Sequence, residues 1–157
     1  MIFPTNFLWG ASTSAFQVEG GYNEGGKGVA TTDLGARRPG IADNKVAADH
    51  YHHWKEDVDL MAELGLKVYR MGFAWSRIMP DATCTPNPEG LAFYDRLIDY
   101  LLEKGIEPLV TLYHFECPQA LVDAFGGWLS CSTARRDAER PTWPPPWACS
   151  PSSKAGA

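Results

Sequence analysis

The chain has 157 residues, with 14 Lys and Arg against 19 Asp and Glu and a net charge of −5. The length holds one ordinary domain with a working core. Up to Ser130 there are 10 basic against 17 acidic residues, which excludes the clustered basic face of a nucleic-acid binder and a polybasic membrane patch.

The opening run, Met1 to Phe16, has no basic stretch followed by a long apolar one, so no signal peptide is expected. No apolar run reaches the 18 or so residues of a membrane span. Cysteines at 84, 117, 131 and 149 form no Cys-x-x-Cys pair and no disulfide framework. A reducing, cytoplasmic setting is expected.

Phe7 to Ala15 reads as a short apolar strand. Residues 22–45, rich in Gly and polar residues, read as a long loop. Helical spacing runs from Ala47 to Leu64, with Tyr51, Trp54, Val58 and Met61 on one stripe, and Gly65 stands where a C-terminal cap belongs. Val68 to Trp75 is a second strand. Asn87-Pro88 reads as an N-cap and first-turn proline for a helix carrying Leu91, Tyr94, Leu97, Ile98 and Leu101 and closed by Gly105. Leu109 to Phe115 is a third strand, with Val110 and Leu112 facing inward, and Pro118 to Phe125 starts a third helix. Leu64-Gly65-Leu66-Lys67 and Lys104-Gly105-Ile106-Glu107 repeat at an offset of 40 residues, the length of one βα unit. Apolar strands joined by amphipathic helices imply a parallel sheet covered by helices. No Gly-x-Gly-x-x-Gly follows a strand, which counts against a dinucleotide site.

Residues 131–157 contain no Ile, Leu, Val, Met, Phe or Tyr but five prolines. Such a Pro/Arg/Ser-rich segment has little to bury and is expected to be disordered. The abruptness of the change favours a frameshifted or fused end over a natural tail, which divides the chain into 1–130 and 131–157.

Polar residues at the C-terminal ends of parallel strands are the candidates for chemistry. Alternation puts Arg70, Gly72 and Ala74 on one face of the second strand, and Tyr69, Met71, Phe73 and Trp75 on the helix side. A buried guanidinium demands an acidic partner. That partner belongs either to a site or to a plain strand-tying salt bridge. His114 ends the third strand, and position alone favours a satisfied core histidine there. Gln17 follows the first strand, and its amide can pair with sugar hydroxyls. Trp9, Trp75 and Trp128 read as core first and sugar platforms second. His50, His52 and His53 lack the spacing of a helical zinc pair and read as a solvated helix start. Glu19, Glu24 and Glu116 lie near strand ends, but no spacing pairs them. Glu116 is explained as an anion at a helix start.

Several of these stretches resemble one family in order and at family spacing. They are Phe7-Leu8-Trp9-Gly10, Ala15-Phe16-Gln17-Val18-Glu19-Gly20, Leu60-Met61-Ala62-Glu63-Leu64-Gly65, Ala74-Trp75-Ser76-Arg77-Ile78, Thr111-Leu112-Tyr113-His114-Phe115 and Gly126-Gly127-Trp128. Together they resemble the family 1 glycoside hydrolases over residues 1–130. Asn23-Glu24-Gly25-Gly26-Lys27-Gly28 and His114-Phe115-Glu116 are similar to the 6-phospho-β-glucosidase branch. The resemblance implies an α/β chain made of the N-terminal three βα units of a (β/α)8 TIM barrel, incomplete because a whole barrel needs about 250 residues. It implies a retaining hydrolase of β-glucosides phosphorylated at position 6, or of plain β-glucosides, with no metal or organic cofactor. Gln17 and His114 match residues that bond glycone hydroxyls. Phe115 stands where a tryptophan is frequent and can still pack beneath the sugar. Arg70 matches the arginine that holds the nucleophile carboxylate. The family's acid/base Thr-Phe-Asn-Glu-Pro and nucleophile Glu-Asn-Gly motifs do not occur in these residues, so no catalytic glutamate is assigned. A truncated remnant without activity and a weak sugar-binding module are the competing readings.

Overall fold

The computed structural model describes residues 3–35, 40, 43–81 and 85–127. The tail assigned to 131–157 and Trp128 lie outside the described residues. In chain order the elements are β1 (Gly10–Ser12), α1 (Ala15–Val18), a 3-10 turn (Thr31–Asp33), α2 (His50–Glu63), β2 (Val68–Gly72), α3 (Trp75–Ile78), α4 (Pro88–Glu103), β3 (Glu107–Thr111) and α5 (Gln119–Phe125). The strands form one parallel sheet in the order β1-β2-β3.

The 40-residue repeat is a repeat of structure. At the end of α2, Gly65 has φ +76° and donates to Ala62 O (3.0 Å), while Leu66 donates to Met61 O (3.1 Å). At the end of α4, Gly105 has φ +72° and donates to Leu102 O (3.0 Å), while Ile106 donates to Leu101 O (2.9 Å). Both are the paired helix-ending bonds that a left-handed glycine permits. Each exit leads straight into the sheet. Lys67 N–H donates to Trp9 O and Glu107 N–H to Lys67 O, both at 2.8 Å. At the other end of α4, the Asn87 side chain accepts from Glu89 N–H at 3.2 Å and Pro88 fills the first turn.

The core lies between sheet and helices. Val58 of α2, Tyr69 and Met71 of β2, Phe93, Leu97 and Leu101 of α4, and Ile106 are buried together. Tyr51, Trp54 and Met61 pack against them, as the helical stripe requires. Phe93, not Leu91, is the inward residue of the first turns of α4, and Leu91 is exposed. β1 and β2 end sooner than expected because the chain turns into a helix soon after their last ladder bonds, and β3 gives way at Thr111 to the 112–118 connection. Ser14 already starts α1 and Ala74 starts α3. The side assignment of β3 is corrected. The register pairs Ser12 with Arg70 and Arg70 with Leu109, so these three share the face away from the helices. Leu109 is 56% exposed there, whereas Val110 packs against the core. Leu112 lies beyond the strand, where alternation no longer applies.

Candidate active site

Three connections leave the C-terminal ends of the strands: Thr13–Val18 after β1, Phe73–Ile78 after β2 and Leu112–Pro118 after β3. His114 sits three residues past β3, on the loop and not in the strand as the sequence reading had it. Its Nδ1 is 3.0 Å from the Ser14 hydroxyl. Phe16 meets the imidazole edge-on, with centroids 6.4 Å apart and planes at 89°. Gln17 is on the same single turn, α1, and is exposed. The first and third connections are therefore joined, and they bring His114 and α1 to one end of the sheet. Phe115 follows with φ +66° and is 73% exposed. Its ring lies 5.1 Å from that of His114.

Arg70 is half-buried on the open face, as alternation required, and makes no ion pair among the described residues. The acid-paired arginine of the described chain is instead Arg77. Its side chain is 0% exposed. Nε donates to Glu19 Oε2 at 3.1 Å, and the other nitrogens donate to the carbonyls of Gly20, Gly21 and Glu24 at 3.3–3.4 Å. The guanidinium lies 4.0 Å from the Tyr51 ring centroid. Tyr94 donates its hydroxyl to Glu19 Oε1 at 2.6 Å and accepts from Ala74 N–H at 2.7 Å. Burial, reinforced by the charge of Glu19, pushes the Tyr94 phenol well above its usual value. Gly90 lets α4 approach, since a Cβ there would collide with Arg77 O. This unit fixes the 19–25 loop beneath α1. The sequence reading carried Arg77 only within the Ala74-Trp75-Ser76-Arg77-Ile78 stretch of the resemblance and gave it no role.

Glu116 is not a helix-start anion. It is 3% exposed and stands two residues before the N-cap of α5. Its Oε1 accepts from the Ser76 hydroxyl at 2.6 Å, while Oε2 has no partner among the described residues. It lines a recess about the size of one water molecule, together with Phe16, Glu19, Asn44 and the Lys27–Asp33 pair, which is closed at 2.8 Å. Burial raises its carboxyl to about 7, against the opposing Ser76 hydrogen bond and the charge of Lys27. The raised value means that this group contributes stability fully below about 4.5, and that the contribution is lost as the pH rises through about 7. The shift corresponds to about 3 kcal/mol. Glu116→Gln, which keeps an acceptor for Ser76, should therefore gain on the wild type by about that amount between pH 5 and pH 8. Urea midpoints at several pH values check this. A wild-type minus variant difference that stays flat with pH would refute it.

The histidine cluster divides. His52 and His53 are exposed, as expected. His52 lies 2.6 Å from Asp49 and 2.9 Å from Glu24, and its value is raised chiefly by the Asp49 hydrogen bond. His50 departs from the solvated reading. It is buried, with Nδ1 2.6 Å from Asp57 and Nε2 without a partner among the described residues. Trp9 is exposed beside Phe3 and Phe7 at the start of β1, away from the strand ends that carry His114. Trp75 meets Tyr113 edge-on at 5.9 Å. Among the described residues no three His, Cys, Asp or Glu side chains are grouped to hold a metal ion.

Residues 1–138 match the family model described as Glycosyl hydrolase family 1. The chain is 51% identical over 132 residues to "Beta-glucosidase 25" of Oryza sativa subsp. japonica, covering 82% of this chain and 26% of that protein. It is 50% identical over 132 residues to "Aryl-phospho-beta-D-glucosidase BglC" of Bacillus subtilis, covering 82% and 28%. Among solved structures, the psychrophilic beta-glucosidase BglU of Micrococcus antarcticus superposes with a TM-score of 0.77 at 48% identity, over 84% of this chain and 29% of that one. The family 1 β-glucosidase of Thermotoga maritima gives 0.74 at 45% identity, over 80% and 29%. The chain thus spans under a third of the length of these relatives. Its three parallel βα units are units of their TIM barrel, and the chain belongs to glycosyl hydrolase family 1.

Proposed function

We propose that these residues form part of the glycone-binding wall of a retaining β-glycosidase that hydrolyses β-glucosides. In this reading Gln17 and His114 hydrogen-bond sugar hydroxyls, Phe115 packs beneath the ring, and Arg70 holds the nucleophile carboxylate. The observation that carries it is the bond from Ser14 to His114, which joins the α1 turn bearing Gln17 to the end of β3. Retaining chemistry needs two carboxyl groups about 5–5.5 Å apart across the scissile bond. Glu19 is committed to Arg77 and Glu116 is packed against Ser76, so neither serves. The 157 residues alone should turn over no aryl β-glucoside above background.

Within that reading the preferred substrate is a β-glucoside phosphorylated at position 6. Support comes from Asn23–Gly28, from His114-Phe115-Glu116, and from the 50% identity to the Bacillus relative. The alternative is a plain β-glucoside, as the name of the rice relative indicates. A cytoplasmic enzyme fits the wide cysteine spacing, and no described helix is long and apolar enough to cross a membrane.

The test is a chimera in which residues 1–127 replace the matching stretch of the Thermotoga enzyme. It should hydrolyse aryl β-glucosides. Gln17→Ala and His114→Ala should each lower kcat/KM about tenfold or more, the cost of leaving a sugar hydroxyl unpaired. Its preference for 6-phosphorylated over plain substrate should exceed that of the host. Unchanged kcat/KM in both variants would retract the glycone assignment. An unchanged substrate ratio would retract the phosphate preference.

A further inference from the structure

Serine at the start of a helix ordinarily turns its hydroxyl to the helix's own free N–H groups. Ser14 has the extended backbone of an N-cap, φ −115° and ψ 133°, yet makes no such bond. Its hydroxyl goes instead to a ring 100 positions away, Nδ1 of His114 at 3.0 Å. Ser14 is buried, and this is its one side-chain partner among the described residues. A buried hydroxyl with a single partner gives it the proton, because an orphaned buried donor is rarer and costlier than a spare lone pair. Nδ1 then accepts, and the imidazole proton resides on Nε2. Nε2 has no protein partner among the described residues.

We propose that Ser14 is a positioning residue that fixes His114 in the tautomer with the proton on Nε2, ready to donate to a glycone oxygen. Phe16 meets the same ring edge-on, with centroids 6.4 Å apart and planes at 89°. Two consecutive-but-one residues of the first connection thus meet the imidazole of a residue on the third, and Ser14 sets its proton. The donor role toward sugar rests on the glycone reading above, while the tautomer itself does not.

The experiment is solid-state nitrogen NMR of the 157-residue chain labelled at histidine, which tolerates self-association. The pH is held about two units above the ordinary imidazole value of about 6.5. Only four histidines contribute, and a His114→Gln sample identifies the signals of interest. In the wild type the Nε2–H form should dominate, with Nδ1 at the position of a hydrogen-bonded acceptor. Ser14→Ala should move Nδ1 to the unbonded position and lower the ratio of Nε2–H to Nδ1–H about fivefold, the worth of one side-chain hydrogen bond. Ser14→Thr keeps the hydroxyl on a β-branched residue suited to an extended backbone and should restore both signals. A wild type dominated by Nδ1–H overturns the proposal. So does an Ala variant with unchanged signals, or a Thr variant indistinguishable from Ala. If the variants behave as expected here while Gln17→Ala and His114→Ala leave the kcat/KM of the chimera unchanged, the tautomer assignment stands and the glycone reading is withdrawn.

Discussion

Arg77→Met is expected to cost about 3–5 kcal/mol, the loss typical when one partner of a buried ion pair is removed. Methionine fills much of the same space, so the loss comes from what stays behind. Glu19 would remain buried with the Tyr94 hydroxyl as its one strong donor, and the carbonyls of Gly20, Gly21 and Glu24 would lose their bonds to the guanidinium. Adding Glu19→Leu removes the stranded charge, so the double variant should recover part of the loss instead of adding to it. Urea midpoints at one fixed protein concentration measure both effects. Hydrogen exchange gives the location: amides of the 20–28 loop should lose protection in Arg77→Met while those of α4 change least. A single variant within about 1 kcal/mol of the wild type, or a double variant worse than the sum, would show that the pair does not hold the loop.

The reach of the sequence follows from which interactions are local. The two helix exits were legible because Gly65 and Gly105 each supply a left-handed residue next to an apolar one, and the bonds that end a helix span only five residues. The stripe of α2 and the cap at Asn87 are local in the same sense. The inward side of β3 was not legible. Period two fixes which residues share a face, but only the pairing of Arg70 with Leu109 fixes which face is inward. The rule that a buried arginine needs a carboxylate held, but the described pair is Arg77 with Glu19, 58 positions apart. Arg70 lies on the face that a barrel closes over, and the carboxylate that the register places on that face, Glu107, is exposed and makes no ion pair with it among the described residues. Glu116 was missed for the same reason, since its burial comes from Ser76, 40 positions away, and from the 27–33 loop, which bridges to it through Ala30 and Pro118. Gln17 and His114 were candidates from their places after the first strand and at the end of the third, and the family resemblance added Phe115 and the proposed sugar contacts. What the resemblance could not show was the link between them, because the sequence places Ser14 in the first strand and its partner lies 100 positions away.

A polypeptide of these 157 residues should associate in solution instead of behaving as a compact monomer. The outer half of the fold is satisfied: α2 and α4 cover the Tyr69, Met71 and Val110 side of the sheet. The other face is open. β1 is exposed along its whole length, and Leu109 stands 56% exposed beside Arg70. Leu112 and Phe115 add 78% and 73% exposure at the strand ends. In an eight-stranded barrel that face is filled by layers of side chains from all the strands. Among the described residues, β1 and β3 also present unpaired edges, and such edges template pairing with another chain. Apolar surface and open backbone therefore favour the same outcome. Sedimentation should give an apparent mass at least about twice that of the monomer, rising with concentration, as edge pairing between copies requires. Leu109→Lys with Leu112→Lys should shift the population toward monomer, because charge on an open face opposes edge-to-edge pairing. Neither lysine touches the Arg77 unit or the helix-side core. A compact wild-type monomer with one sharp thermal transition would mean that the open face is stable in water, and the three units would then have to be regarded as a domain in their own right.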